Sequence, residues 1–289
     1  MDENEFIAAL RGLPLHKGAR GLRDDAAVLA LGNQVFVLTH DMMVEGRHFL
    51  SSQNMADVAW KLVATNLSDL AAKGAEPVGV LLGHMLGNGD ADFVAGLDDV
   101  LSHYGVPLLG GDTVAGDGPR AFGLTAIGRA SHTPVPSRAG AENGDALFVT
   151  GTLGAAMLGL EAFQAGTGGD CTAYTRPMAR VAEGQDLAPL AKAMMDVSDG
   201  LLLDAFRMAE ASEVSIAIDS AAVPVADPER RIDCMTWGDD YELLFTLPEG
   251  TYPPVPATRI GSVEPQGFAA LFLDGEAITN PEGLGYLHK

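Results

Sequence analysis

Two cysteines, Cys171 and Cys234, are all that the 289 residues contain, too few for a disulfide framework or a zinc cluster. They read as buried or incidental thiols of a reducing compartment. Positive charge is scarce as well. Lys and Arg number 18 against 39 Asp and Glu, a net charge of −21. That excludes a general affinity for nucleic acid or anionic membrane, since both need basic surface. An anionic ligand is admissible only if cations come with it. No run approaches the ~18 apolar residues of a spanning helix. The opening Met1-Asp2-Glu3-Asn4-Glu5 is acidic, where a signal peptide is basic and then apolar. A cytoplasmic protein is expected. Several catalytic signatures are also missing. With no Gly-Lys dipeptide there is no P-loop, and there is no G-x-G-x-x-G. Protein-kinase His-Arg-Asp, G-x-S-x-G and H-E-x-x-H are absent too, so a hydrolase lacks its nucleophile.

What is present alternates between strand and helix. Ala26–Leu31 and Gln34–Asp41 read as strands joined by a Gly32-Asn33 turn. Met55, Val58, Ala59, Leu62, Val63, Leu67 and Leu70 recur at three- and four-residue steps and predict a helix over Met55–Ala72, stopped by Gly74 and Pro77. A strand at Val78–Met85, a helix at Ala91–Tyr104 and strands at Val106–Leu109 and Ala121–Arg129 complete a ββαβαβ, ferredoxin-like unit. The Pro- and Gly-rich stretch Ser131–Gly144 reads as a linker. Beyond it come a strand at Ala146–Thr150 and helices at Ala155–Ala165, Ala179–Met194 and Leu201–Ala211. Strands at Val214–Ile218, Tyr241–Leu247, Arg259–Val263 and Ala269–Leu273 follow. The expectation is an α/β (α+β) chain of two domains, 1–135 and 136–289, each long enough to bury its own core.

The acids fall at element ends: Asp24-Asp25, Asp41, Asp69, Asp112, Asp196, Asp199 and Asp239-Asp240. Asp69 is the most informative. It follows Leu62 by seven residues and Val58 by eleven, so on a helix it lies within about 20° of both. An amphipathic helix would carry this carboxylate on its apolar face, near the C-terminus, where the macrodipole disfavours negative charge. A buried anion there needs donors, which Asn66 and Ser68 can offer, or a cation. Asp41 closes an otherwise apolar strand face, Val35, Val37, Thr39. Asp112 follows Gly110-Gly111, which lets a phosphate or a second backbone come close. Carboxylates without Cys ligands suit magnesium bridging to substrate phosphates. Gly151-Thr152-Leu153-Gly154, before a helix, is either a phosphate cradle or a plain tight turn.

These motifs resemble one known family. Leu22-Arg23-Asp24-Asp25-Ala26-Ala27-Val28, Thr39-His40-Asp41-Met42-Met43-Val44-Glu45-Gly46-Arg47-His48-Phe49, Asn66-Leu67-Ser68-Asp69, Gly110-Gly111-Asp112-Thr113, Asp196-Val197-Ser198-Asp199-Gly200 and Gly238-Asp239-Asp240-Tyr241-Glu242 occur in the order found in thiamine-monophosphate kinases. The resemblance implies a two-domain aminoimidazole-ribonucleotide-synthetase-like fold, usually homodimeric, that uses ATP and several magnesium ions to phosphorylate thiamine monophosphate to thiamine diphosphate. It implies metal ligation by Asp25, Asp41, Asp69, Asp112, Asp196 and Asp199, helped by groups of Thr39 and His40. Nucleotide contacts are implied at Tyr104, Gly111, Asp112, Arg129 and Ser198. His48, Asp239 and Tyr286 would hold the thiamine phosphate, with Asp239 facing either the thiazolium or the aminopyrimidine. Asp41, Asp69 and Asp112 are the expected catalytic positions, and the transfer is direct.

Some positions depart from the family pattern or stay open. Arg23 stands where the family usually has Gly, so either the loop is stiffer or the charge takes part in binding. His40 stands where Thr or Ser is common, which is neutral if the backbone carbonyl is the ligand. Asp24 caps or orients its neighbour. Arg176-Pro177 and Arg180 either touch phosphate or pair with acids. Two rival readings share the acids: a superfamily synthetase acting on a purine-precursor ribonucleotide, and a non-catalytic sensor of thiamine phosphates.

Overall fold

The computed structural model describes residues 3–166 and 168–287, so Met1 and Asp2 of the acidic opening lie outside the described residues. A short helix, α1 (Glu3–Leu10), leads to a hairpin. The Gly32-Asn33 turn joins β1 (Ala27–Leu31) to β2 (Gln34–Val44) in antiparallel register from Leu31↔Gln34 to Ala27↔Leu38. Helix α2 (Met55–Ala72) has the bounds its periodicity predicts, and its Asn54 N-cap accepts from the Ala56 amide. Then come β3 (Ala75–Met85), α3 (Asp90–Tyr104), β4 (Leu108–Val114) and β5 (Ala121–Ala130). The unit thus runs ββαβαββ, and its five strands lie in the order β1-β2-β5-β3-β4, with only β3 and β4 parallel.

The second half contains β6 (Asp145–Thr150), α4 (Ala155–Ala165), α5 (Thr172–Thr175), α6 (Val181–Leu187), β7 (Met194–Val197), α7 (Leu201–Ser212) and β8 (Ser215–Ile218). It ends with α8 (Arg231–Thr236), β9 (Glu242–Pro248), β10 (Ala257–Glu264), β11 (Leu271–Leu273) and β12 (Glu276–Ile278). Its sheet has seven strands in the order β12-β11-β8-β10-β6-β9-β7. Each half closes its own core, around Leu62, Phe93 and Phe122 in the first and Leu202, Phe206 and Leu244 in the second.

Four differences from the sequence expectation matter for the site. The helix expected over Ala179–Met194 is only α6, because Pro189 lacks the amide that another turn needs. The segment Met194-Met195-Asp196-Val197 becomes the buried strand β7 and places Asp196 in the sheet. The strand expected at Val106–Leu109 instead runs Leu108–Val114, through Gly110, Gly111 and Asp112. A second backbone is what the Gly pair admits, since a Cβ on Gly111 would stand 1.9 Å from the Leu82 carbonyl oxygen of β3.

The fourth difference is in α2. Periodicity predicts one apolar face, yet Val58 to Ser68 are all buried, Lys61 and Asn66 included. A helix buried all round is enclosed by neighbours on every side. Here α3, β2 and β5 cover one flank, while α5, α6, β7 and β9 of the second half cover the other. The seam is tight. A Cβ on Gly184 of α6 would lie 2.0 Å from the Ala71 carbonyl oxygen, and Ala71 and Ala72 pack with Phe148, Leu187, Met194 and Phe245. Gly184→Val should therefore lower stability by ~1–3 kcal/mol, the usual cost of overpacking, read as a reduced urea midpoint at unchanged m-value.

Candidate active site

The seam beside α2 gathers acids from both halves. Single carboxylate oxygens of Asp25, Asp69 and Asp196 lie within 4.8 Å of one another. Asp25 comes from the turn before β1, Asp69 from the last turn of α2 and Asp196 from β7. Burial pushes the Asp69 carboxyl well above its ordinary value, and the charges of Asp41, Asp196 and Asp25 add to the rise. Burial and Asp25 likewise push Asp196 up, to about 8. Such a cluster calls for cations. A cleft of about 340 Å³ runs alongside, lined among others by Asp24, Asp25, Ala26, Thr39, His40 and Asp41.

The acids are held by neighbouring side chains, some of them shared. Thr39 donates its hydroxyl to Asp69, and Ser68 donates to Asp196 at 2.6 Å. Asn66 Oδ1 accepts the Asp41 amide at 3.0 Å. Asn66 and Ser68 thus serve Asp41 and Asp196, and not Asp69 as the sequence suggested. Asp25 faces two cations, Arg138 with its Nε at 2.6 Å and Lys73 with its Nζ at 2.6 Å. Asp24 orients rather than ligates: Lys73 and Arg20 pair with it and Arg138 donates its amide to it at 3.2 Å. Burial raises the Asp24 carboxyl, but the two cations outweigh burial and hold it below the usual range.

Strand alternation separates His40 from its neighbours. Its Nδ1 lies 2.8 Å from Thr125 Oγ1 and its side chain is exposed. Asp112 is exposed on β4, paired in register with Gly83, and lies outside the three-carboxylate group. Asp199 pairs with Arg207, while buried Asp204 takes both the Ser198 and Asp199 amides on Oδ2 at 3.1 Å. Tyr286 is tied in by its amide, which donates to the Asp199 carbonyl at 2.9 Å. Gly285 permits that approach, since a Cβ there would sit 2.3 Å from the same oxygen.

A second group lies around Lys61, in the middle of α2. Asp239 pairs with Lys61, accepts the Tyr241 hydroxyl at 2.7 Å, and donates its amide to the Ser198 carbonyl at 2.8 Å. Lys61 Nζ also lies 3.5 Å from the His48 carbonyl oxygen. His48 and Asp239, far apart in sequence, are thereby neighbours.

Other expected positions sit outside these groups. Tyr104 accepts the Ala179 amide at 2.8 Å and stacks edge-on against His103. Arg129 is exposed and pairs with exposed Glu76. Arg176 pairs with Asp57, and Arg180 grips Glu242 through two nitrogens at 2.8 and 2.6 Å, so this stretch binds acids of the chain itself. The Gly151–Gly154 segment is a turn whose helix end is already capped. The Gly154 amide donates to Asp240 Oδ1 at 2.8 Å, and a Cβ on Gly151 would strike the Glu242 carboxylate.

Sequence reading missed Lys61, Lys73 and Arg138. Lys61 carried a signal, a charge inside the apolar run Val58-Ala59-Trp60-Lys61-Leu62-Val63. Lys73 and Arg138 carried none, because a helix-end lysine and a linker arginine are ordinarily solvated.

Two joined α/β units with acids from both halves converging beside α2 define the class, and the family comparison places it. The profile described as AIR synthase related protein, N-terminal domain, matches residues 23–130, and its C-terminal counterpart matches 142–274. The thiamine-monophosphate kinase of Escherichia coli (strain K12) is 34% identical over 90% of this chain and 89% of its own. That of Caulobacter vibrioides is 37% identical over 95% and 88%. A solved structure described as AaThiL complexed with AMPPCP and TMP superposes with a TM-score of 0.89 at 28% identity, covering 100% of this chain and 97% of that one. The chain belongs to the thiamine-monophosphate kinase family.

Proposed function

We propose that the chain transfers the γ-phosphoryl group of ATP to thiamine monophosphate, giving thiamine diphosphate in thiamine biosynthesis. The convergence of Asp25, Asp69 and Asp196 from both halves within 4.8 Å carries this reading, with the family's named activity beside it. An all-oxygen donor set of crowded, buried carboxylates fits magnesium. Asp25, Asp41, Asp69 and Asp196 would hold it, with Asp112 and Asp199 as further candidate ligands, Thr39 fixing Asp69, and His40 serving by its backbone carbonyl. Bound there, magnesium supplies the positive charge that two polyanionic substrates and this acidic site lack.

The chain's own residues do the rest. A phosphate acceptor is largely ionised at neutral pH, so the site needs neither a general base nor a phosphoenzyme. Positioning and preorganised charge are the required contributions. Arg138, fixed on Asp25, is the arginine assigned to the transferring phosphoryl group. Gly111 and Ser198 are assigned to the nucleotide, and His48, Asp239 and Tyr286 to thiamine monophosphate. Residues 1–135 carry most of the ATP and metal contacts, and 136–289 close the site.

A coupled ADP-release assay with ATP, magnesium and thiamine monophosphate tests this. Thiamine diphosphate should appear in step with ADP, and EDTA should stop both. Turnover only with a purine-precursor ribonucleotide, or none with any acceptor, overturns it.

A homodimer belongs to the same reading. Every residue of β4 is exposed although it ends a sheet, and Leu108, Leu109, Val114 and neighbouring Leu81 form an apolar edge. Exposed apolar edges pair with another strand, and two-fold symmetry supplies an identical one. Light scattering should give twice the chain mass, and Leu109→Asp half of it. No helix among the described residues is long and apolar enough to cross a membrane, and both cysteines are free thiols; a cytoplasmic location agrees with both.

A further inference from the structure

Lys61 is a lysine buried in the middle of a helix, and the group of Asp25, Asp69 and Asp196 makes no use of it. Its side chain is 2% exposed, whereas that of its ion-pair partner Asp239 is 28% exposed. The Tyr174 ring covers the ammonium, with Nζ 4.3 Å from its centroid, and the His48 carbonyl lies 3.5 Å away. The Tyr241 hydroxyl donates to the other oxygen of Asp239 at 2.7 Å. The backbone at Asp239 and Tyr241 is left-handed, at φ 62° and 54°, a conformation that costs non-glycine residues energy and persists where the surroundings impose it. The carboxylate is therefore gripped at both oxygens, Oδ2 by Lys61 and Oδ1 by Tyr241, and only part of it reaches solvent.

Two consequences follow from elementary chemistry. A carboxylate neutralised by a buried lysine has little net charge with which to attract a cationic ring. Its remaining lone pairs are still acceptors only, in a fixed direction, and recognise an N–H donor while rejecting a carbonyl. We infer that Lys61 is a positioning residue that turns Asp239 into a fixed, charge-compensated acceptor for the exocyclic amino group of the aminopyrimidine, and so sets selectivity for the amino over the oxo form of the acceptor. This rests on the proposed activity, and it assigns Asp239 to the pyrimidine rather than the thiazolium.

The experiment compares thiamine monophosphate with oxythiamine monophosphate, which carries an oxo group in place of the amino group, in wild type and Lys61→Met. Wild-type turnover of thiamine monophosphate is measured first; its absence would defeat the functional reading and leave Lys61 out of the matter. With turnover established, Lys61→Met should raise KM for thiamine monophosphate about tenfold, the scale of one charged hydrogen-bonded partner. KM for ATP should stay within twofold, and the preference for the amino over the oxo acceptor should shrink by a similar factor. Lys61→Arg should restore part of the preference. A purely structural lysine would instead lower the melting temperature and the active fraction while leaving KM and the preference intact, and that result overturns the proposal. If Lys61→Met does not fold, Tyr241→Phe releases the other oxygen of Asp239. It should raise the same KM in the same direction, and an unchanged KM and preference in that variant is equally fatal.

Discussion

Asp69→Asn should abolish turnover, by at least ~10³-fold, the scale of removing one preorganised electrostatic group from a transition state, and yet leave the protein as stable as the wild type or more so. The two readouts diverge because Asp69 stands among Asp41, Asp196 and Asp25, and burial combined with their charges makes its ionised form unfavourable in the empty fold. An amide keeps the shape and the Thr39 contact while removing that repulsion. The rise in melting temperature that magnesium gives the wild type should shrink sharply in the variant, since ligand binding stabilises by mass action. Steady-state ADP release and thermal melts with and without magnesium check both halves. A variant retaining more than a tenth of wild-type turnover would contradict the metal assignment.

Arg138→Met should be damaging on both counts. Asp25 has no exposed side-chain surface, and its cations are Arg138 and Lys73. Losing one partner of a buried ion pair costs about 3–5 kcal/mol when nothing compensates, and Lys73 places the expected loss near the lower figure. Turnover should fall at least ~10²-fold, because the same guanidinium is assigned to the phosphoryl group. Arg129→Ala is the contrast. Its exposed pair with Glu76 is of the kind worth under ~1 kcal/mol, and activity should stay within twofold. Urea titrations with parallel activity assays measure the pair, and equal effects at the two arginines would refute the assignment.

How much of this was legible beforehand differs by element. The spacing from Met55 to Leu70 specified α2 with its bounds, and the angle between Asp69, Leu62 and Val58 marked a carboxylate turned inward. What periodicity could not convey is that α2 has two partners. An apolar stripe reports one buried face, and the second is covered by residues more than a hundred positions later, including Leu187 and Phe245. The same distance hid the counter-charges. Lys73 and Arg138 look like solvated residues until the fold brings Asp24 and Asp25 against them. β7 was misread because a four-residue, mostly apolar segment is too short to tell strand from helix, and Pro189 was the overlooked sign. Of the acids in the motifs, the fold gathers Asp25, Asp69 and Asp196, each readable from local sequence. Arg138 and Lys61 act only through tertiary contacts.

The shared helix bears on how the chain is made. When the first half leaves the ribosome, the flank of α2 carrying Ala71 and Ala72 has nothing to rest on until β7 and β9 have been synthesised. Through that interval the nascent chain presents a greasy, charge-poor ridge to its surroundings, with Lys61 still lacking Asp239. Dissected at the linker, residues 1–135 should accordingly be sticky on their own, and supplying 136–289 as a separate fragment should restore them to solution.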